Sequence, residues 1–341
     1  MKRMFFGKMG SWLTLAVLFI GLALLIFPAV AFSGEKVTLK VSMQPFLSFA
    51  PFFLAIEEEY FAEQGIDLEF VRFRLHGDEL PALAQGQIDV SAGAVYPGFF
   101  NAVARGMNLK SVADRGHTTE DSEYTAVVTR KELYDRGEVR SLCDLRGKKV
   151  AIGTIGGGTY RDFAFLLPKV NLTLGDVELV QLGYPETVEA LRTGAVDVAT
   201  LVEPLLTKAE ESGVVVGFTS FADYFPNCQI ALVYFGPNLL EKRRDLGRKF
   251  ILAYLKGVRA YNRGKTSRNL EIIQKYTKLD QSLLKKCSWP VINDDGRVFG
   301  QSMLTYQDWL HDNGFVDTKV ELEEMIDTSF IEWANKKLSG E

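Results

Sequence analysis

A glycine-rich stretch is the part of this sequence whose residue types are best suited to binding chemistry. It reads GTIGGGTYRDF over residues 153–163. Three consecutive glycines expose backbone N–H groups, and Thr159 can cap a following helix. Such N–H groups and the positive end of a helix dipole favour a carboxylate, sulfonate or phosphate. The stretch is not a P-loop, because no Gly-Lys-Ser/Thr follows. A turn in which the glycines serve geometry alone fits the same residues.

The sequence contains no recognisable catalytic or metal-binding pattern. We find no Ser-His-Asp set, no G-x-S-x-G elbow and no H-E-x-x-H motif. Cys143, Cys228 and Cys287 lie far apart without C-x-x-C spacing, and the chain has 3 histidines. We therefore expect no catalytic residues, no metal and no cofactor. One disulfide among the three cysteines and buried free thiols are both open alternatives.

A repeated nonapeptide points to the elements that must position the glycine-rich stretch. Residues 82–90 read ALAQGQIDV and residues 190–198 read ALRTGAVDV. Each copy ends a helix on a glycine, Gly86 or Gly194, where φ is expected to be positive. Each then enters a short apolar strand. We interpret Asp89 and Asp197 as equivalent residues at the start of these strands, not as a catalytic pair.

The patterns around both copies alternate between strands and helices, which predicts two α/β lobes, each doubly wound. In the first lobe we predict strands at 37–43, 66–73 and 88–92 and a helix at 50–64. In the second we predict strands at 149–153, 177–182 and 196–201 and helices at 159–169 and 186–193. A strand at 230–235 is followed by helices only, with apolar residues at helical spacing. This tail should return to the first lobe, so that two crossing segments, near 124–130 and 222–232, form a hinge.

The N-terminal residues have the order of a secretory signal peptide. Lys2, Arg3 and Lys8 precede an apolar run, and Ala29-Val30-Ala31 follows it. A membrane anchor is the alternative, because the run is only slightly shorter than the roughly 20 residues of a spanning helix. We predict the domains to be 1–31 signal peptide, 36–125 first lobe, 126–228 second lobe and 229–341 return to the first lobe.

Composition and charge limit the partners of the exported chain. The 341 residues are 47% apolar and 24% charged, as in an ordinary globular protein. Removal of residues 1–31 takes away three cations and no acids, which leaves 36 Lys+Arg against 43 Asp+Glu and a net charge of −7. This balance argues against nucleic acid or an anionic membrane as the main partner. No lipid-attachment cysteine follows the apolar run, so we expect a free periplasmic monomer.

Ligands of open α/β sheets bind beyond the carboxyl ends of the strands. In both lobes this rule selects the loops 44–49, 93–98, 154–160 and 202–204, which carry aromatic and polar side chains suited to an organic solute. The predicted ligand-binding residues are Gln44, Phe46, Ser48, Tyr96, Thr154, Gly157, Gly158, Thr159, Tyr160 and Glu203.

Four segments carry a resemblance to a known family: APFFLAIEEEYFAEQGIDLEF, PALAQGQIDVSAG, DLRGKKVAIGTIGGGTY and ALRTGAVDVATLVEP. Their order and spacing resemble those of the periplasmic solute-binding proteins of ABC importers. The most similar branch serves nitrate, taurine, alkanesulfonates and thiamine-pyrimidine precursors. The resemblance covers the chain to about residue 260.

This resemblance implies a type II periplasmic binding fold that delivers a small molecule to a membrane permease and its ATPase. It implies that the loop 154–160 holds an anionic or polar head group, and that Tyr96 and Glu203 stand where ligands are contacted. The ligand expected is a sulfonate, a carboxylate or a pyrimidine-like solute. Two alternatives remain: a secreted relative of the thiamine-pyrimidine synthases, whose cysteine-rich signature is not found here, and a membrane-tethered sensing domain.

Overall fold

Ten strands form two sheets in the computed structural model, which describes residues 36–43, 46–73 and 78–340. The strands are β1 Val37–Ser42, β2 Ile66–Val71, β3 Val90–Ala94, β4 Lys110–His117, β5 Thr125–Arg130, β6 Lys149–Ile152, β7 Glu178–Gln181, β8 Val198–Val202, β9 Val215–Thr219 and β10 Gln229–Phe235. Each predicted strand is present, with ends that differ by at most two residues. The predicted signal peptide lies outside the described residues.

The two sheets have the same strand arrangement. The first has the order β2-β1-β3-β10-β4 and the second the order β7-β6-β8-β5-β9. In each sheet the fourth strand in this order, β10 or β5, is antiparallel to both neighbours. The chain therefore passes between sheets twice, through residues 118–124 and 220–228. The predicted α/β class with two doubly wound lobes is confirmed, and we call the sheets with their helices the first and second lobes.

The repeated nonapeptide occupies the same place in both sheets. Gly86 and Gly194 both have positive φ, +71° and +78°, directly after a helical segment. Asp89 N donates to Lys40 O at 2.8 Å, and Lys40 N donates to Asp89 Oδ2 at 2.9 Å. Asp197 repeats this pattern with Lys149 at 2.8 and 3.0 Å. Each carboxylate thus accepts the backbone N–H of the neighbouring strand just before its own strand begins. This confirms the structural interpretation of both residues.

Fourteen helices cover the sheets within the described residues. They are α1 Ala50–Glu57, α2 Tyr60–Glu63, α3 Glu79–Ala84, α4 Pro97–Ala104, α5 Lys131–Asp135, α6 Gly158–Leu166, α7 Tyr184–Thr193, α8 Leu205–Glu211, α9 Arg244–Tyr261, α10 Ser267–Thr277, α11 Gln281–Lys286, α12 Gly300–Asp312, α13 Leu322–Met325 and α14 Ser329–Ser339. Short 3₁₀ segments lie at Leu47–Phe49, Leu142–Leu145, Leu167–Val170 and Leu174–Asp176, and a π turn at Asn238–Lys242.

The helix predicted over 50–64 is wrong in one respect, because it is two helices. Glu59 adopts a left-handed conformation with φ of 60°, which interrupts the helical hydrogen bonds between α1 and α2. The break changes the direction of the chain, and Phe61 packs against Phe250 with ring centroids 5.1 Å apart. The predicted helix over 159–169 similarly tightens into a 3₁₀ turn after Leu166.

Apolar residues cover both faces of each sheet, as a doubly wound lobe requires. Neighbouring residues of β10 illustrate this: Val233 belongs to the cluster beneath α1 and α9, whereas Tyr234 belongs to the cluster beneath α4 and α12. The helical tail packs on the first lobe as predicted, with Phe250 and Tyr254 fully buried. Residues Val37–Glu341 form one compact unit, and the exact domain boundaries stay a prediction.

No helix in the described part of the chain is long and apolar enough to cross a membrane. The three cysteines are free thiols: Cys143 is exposed, Cys228 half-buried and Cys287 buried. The sequence left one disulfide or free thiols open, and the structure has no disulfide among these three cysteines.

Candidate functional site

A cleft lies between the carboxyl ends of the two sheets, where the sheet topology directs both sets of loops. It consists of two adjoining cavities of about 530 and 870 Å³ that share Ala94, Tyr184 and Ile230 in their linings. β1, β3 and the start of β10 border it from the first lobe. β6 and β8 border it from the second. The position predicted from strand direction alone is therefore where the cavities are.

We call the smaller cavity the aromatic chamber. Five of its lining residues are aromatic and four are charged: Phe46, Phe49, Phe73, Tyr124 and Tyr184, with Glu79, Arg115, Glu203 and Lys208. The larger cavity is the glycine-loop chamber. Polar and glycine residues of both lobes line it, among them Tyr96, Gly153, Thr154, Gly157, Gly158, Thr159, Gln181, Thr187 and Thr200.

Eight of the ten predicted ligand-binding residues line these chambers. Phe46, Ser48 and Glu203 line the aromatic chamber, and Tyr96, Thr154, Gly157, Gly158 and Thr159 line the glycine-loop chamber. Gln44 lies outside the described residues. Contact of each residue with a ligand stays a prediction.

Tyr160 does not lie in the lining of either chamber. Its ring packs against Trp309 and Phe315, with centroids 6.0 and 5.9 Å apart. The residue follows Thr159 by one position in α6, a rotation of about 100° around the helix axis. That rotation turns Tyr160 away from the cleft and towards the tail of the first lobe, so the predicted ligand contact is replaced by a contact between lobes.

The glycine-rich stretch forms a tight turn before α6. Gly157 N donates to Thr154 O at 2.8 Å, and Gly157 is the residue that precedes the helix. Thr159 Oγ1 accepts from Gly153 N at 2.7 Å. The predicted cap at Thr159 is wrong, because Thr159 lies inside α6. Its hydroxyl instead links the helix to the residue that follows β6. Gly157 and Gly158 remain on the chamber surface with their backbone.

Glu203 is held by the protein itself. Its carboxylate accepts from Thr207 N at 3.1 Å, from Thr207 Oγ1 at 2.7 Å and from Ser288 N at 3.2 Å. Thr207 belongs to α8 of the second lobe, and Ser288 belongs to the tail. Glu203 therefore joins the lobes at the chamber wall, and few of its lone pairs remain for a ligand.

Tyr124 and Arg115 are lining residues that the sequence interpretation missed. Burial raises the pKa of Tyr124 to about 12, so its hydroxyl remains a donor at neutral pH. Arg115 is 5% exposed, and its Nη1 donates to Ser48 Oγ at 2.6 Å. A signal existed, because Asp114 and Arg115 are the two charged residues within 111–116 of β4, whose other residues there are Ser, Val, Ala and Gly.

Comparisons with known proteins agree with this architecture. Residues 47–262, more than half of the chain, match the family described as NMT1/THI5 like. An ABC transporter periplasmic binding protein, so named, of Brachyspira hyodysenteriae is 25% identical over 72% of this chain and 71% of its own length. A riboflavin-binding protein of Chloroflexus aurantiacus is 27% identical over 66% of this chain and 62% of its own length.

A solved structure shows the same fold at lower identity. The periplasmic aliphatic sulphonate binding protein of Escherichia coli superposes with a TM-score of 0.71 and 18% identity, over 87% of this chain and 93% of that one. The chain belongs to the NMT1/THI5-like family, and its two-lobed fold is that of the solute-binding components of ABC importers.

Proposed function

We propose that this protein is the periplasmic substrate-binding component of an ABC importer, and that it captures a small organic solute in the interlobe cleft. The observation that carries the proposal is the position and lining of the two chambers. They lie at the carboxyl ends of two sheets of like topology, and both lobes contribute to each chamber. Cavities of several hundred Å³ with mixed aromatic and polar walls suit an organic solute.

Closure of the lobes explains how such a protein serves transport. A solute that touches both lobes binds the closed arrangement more tightly than an open one, and binding therefore shifts the population towards closure. The closed arrangement presents a new surface to the membrane permease, which works with its ATPase. We propose that the protein acts as a monomer, is exported with cleavage after Ala31, and holds no metal or cofactor.

The proposal is tested by mass spectrometry of protein purified from its native periplasm. Spectra under native conditions should show a complex with a small molecule, and spectra under denaturing conditions should show that molecule released and chemically unchanged. A transformed product would instead support an enzyme of the pyrimidine-synthase type. Small-angle scattering should show compaction on adding the recovered solute back to refolded protein. Unchanged scattering at saturation would contradict closure.

N-terminal sequencing of the same periplasmic protein tests the export proposal. We expect a chain that starts at Phe32, because the small residues of 29–31 suit a signal-peptide cleavage site. A chain that still starts at Met1 and fractionates with the inner membrane would favour the tethered alternative.

A further inference from the structure

Arg115 is a buried cation in the wall of the aromatic chamber. Its side chain extends from β4, 5% exposed, and lies over the Phe49 ring with its guanidinium carbon 4.3 Å from the ring centroid. No ion pair joins it to any carboxylate in the described part of the chain. Of the five N–H donors of a guanidinium, the one bonded is the donor to Ser48 Oγ, and Nε is buried without a partner.

The acidic side chains near Arg115 do not pair with it. Asp114, the preceding residue, accepts hydrogen bonds from Gln229 Nε2 at 2.7 Å and from Asn293 N at 2.8 Å, and lies 2.7 Å from His117 Nδ1. Glu203 is held by Thr207 and Ser288. Glu79 also lines the chamber, and no ion pair joins it to Arg115. Among the described residues, no carboxylate therefore forms an ion pair with this buried guanidinium.

A buried charge without a partner is costly, and folded proteins retain one where function uses it. The surroundings indicate the chemistry of the missing partner. The chamber of about 530 Å³ is lined largely by apolar and aromatic groups, so a bare inorganic anion would leave most of it unfilled. Phe46, Phe49, Tyr124 and Tyr184 present rings suited to a flat, conjugated body.

We infer that the solute is an organic anion with an aromatic body, whose carboxylate or similar acidic group pairs with Arg115 in the aromatic chamber. The inference rests on the proposed function and names its substrate class. It places the acidic group of the solute at Arg115 of the first lobe, and the glycine-loop chamber then holds the polar remainder. Arg115 supplies the counter-charge, Ser48 fixes the guanidinium, and Phe49 supports its face.

The test compares acids with neutral amides of the same shape. Refolded, solute-free protein is titrated calorimetrically with benzoate and benzamide, phenylacetate and phenylacetamide, and 1-naphthoate and 1-naphthamide. We expect the acid of at least one pair to bind at least tenfold more tightly than its amide. Arg115→Gln, which removes the charge but keeps a polar side chain, should abolish this preference. Arg115→Lys should retain part of it, because the charge remains.

Arg105→Gln is the matched control, because Arg105 is exposed just after α4 and lines neither chamber. Its acid preference should stay within about threefold of wild type, as an exposed charge interacts weakly. Equal binding of acids and amides, or an acid preference that survives Arg115→Gln, would overturn the inference while leaving solute binding intact. Failure of every acid and amide to bind, together with native protein that releases no small molecule, would overturn the proposed function and the inference with it.

Thermal unfolding separates a binding role from a structural one. Arg115→Met removes the unbalanced charge and keeps an apolar chain over Phe49. The solute-free variant should unfold at the same temperature as wild type or above it, because the desolvation cost disappears. A large drop in unfolding temperature with unchanged acid preference would assign Arg115 to the framework of the protein and overturn the inference.

Discussion

At the scale of single residues, two aspartates perform the same structural task in the two lobes. Asp89 and Asp197 each accept a backbone N–H from the second strand in the order of their sheet, β1 or β6, and pair with an arginine, Arg243 or Arg130. Each arginine ends or follows the antiparallel strand of its sheet. One side chain therefore joins three elements where the carboxylate is mostly shielded from water.

We predict that Asp197→Ala lowers the free energy of unfolding by about 1 to 3 kcal/mol, because Lys149 N and the Arg130 guanidinium both lose an acceptor. Asp89→Ala should do the same in the first lobe. Urea titration followed by circular dichroism measures both. Asp135→Ala is the control, since Asp135 is exposed and pairs only with Lys131 on one helical turn. Equal stability of the Asp197 and Asp135 variants would contradict this role.

Residue types predicted these aspartates and the cleft but not the side-chain directions within it. The repeat and the strand-end rule required local patterns alone. The packing of Tyr160 on Trp309 and the bond of Glu203 to Ser288 depend on the tail, which meets the loops only after the whole chain has folded. The burial of Arg115 likewise depends on Phe49, 66 positions earlier in the chain.

At the scale of elements, the turn before α6 is the place where backbone meets the cleft. Gly158 is the first residue of α6, and a Cβ built there meets nothing within 4 Å. A Cβ at Gly157 would lie 3.0 Å from Thr154 O, so substitution there disturbs the turn itself. Gly158 therefore offers the cleaner probe of the glycine-loop chamber.

We predict that Gly158→Asp abolishes binding of the solute recovered from native protein, while the unfolding temperature stays unchanged or rises. The carboxylate stands at a helix N-terminus, where it stabilises the helix, but it fills space that the polar remainder of the solute needs. Calorimetric titration measures the affinity. Gly158→Ala, which adds a methyl group without charge, should bind within a few-fold of wild type. Full affinity in a folded Gly158→Asp protein would exclude this chamber from the solute site.

At the scale of the whole molecule, the tail of the first lobe makes direct contacts with the second lobe. Tyr306 of α12 donates from its hydroxyl to Gly156 O in the glycine-rich turn. Ser288 bonds to Glu203, and Lys286 pairs with Glu211 of α8. Phe165 of the second lobe lies against Trp309 of the tail, with ring centroids 5.7 Å apart. The tail is thus part of the closing surface as well as a cover for the first lobe.

We predict that Tyr306→Phe weakens solute affinity roughly two- to tenfold, the effect of one lost hydrogen bond in the closed arrangement. Small-angle scattering of the solute-free variant should show a larger mean radius of gyration than wild type. Tyr276→Phe removes a hydroxyl that bonds to Glu57 within the first lobe, and it should change neither quantity. Identical behaviour of the two variants would contradict a closing role for Tyr306.

The path of the chain through the two sheets also sets an order of assembly. All strands of the second sheet come from one continuous segment, residues 125–219, so that sheet has its complete set of strands before the tail is made. The first sheet lacks β10 until residue 235 has emerged, and β3 and β4 keep unpaired edges until then. Unpaired edges invite association with other chains. A chain that folds from its N-terminus would therefore complete the second sheet while the first lobe still presents unpaired strand edges.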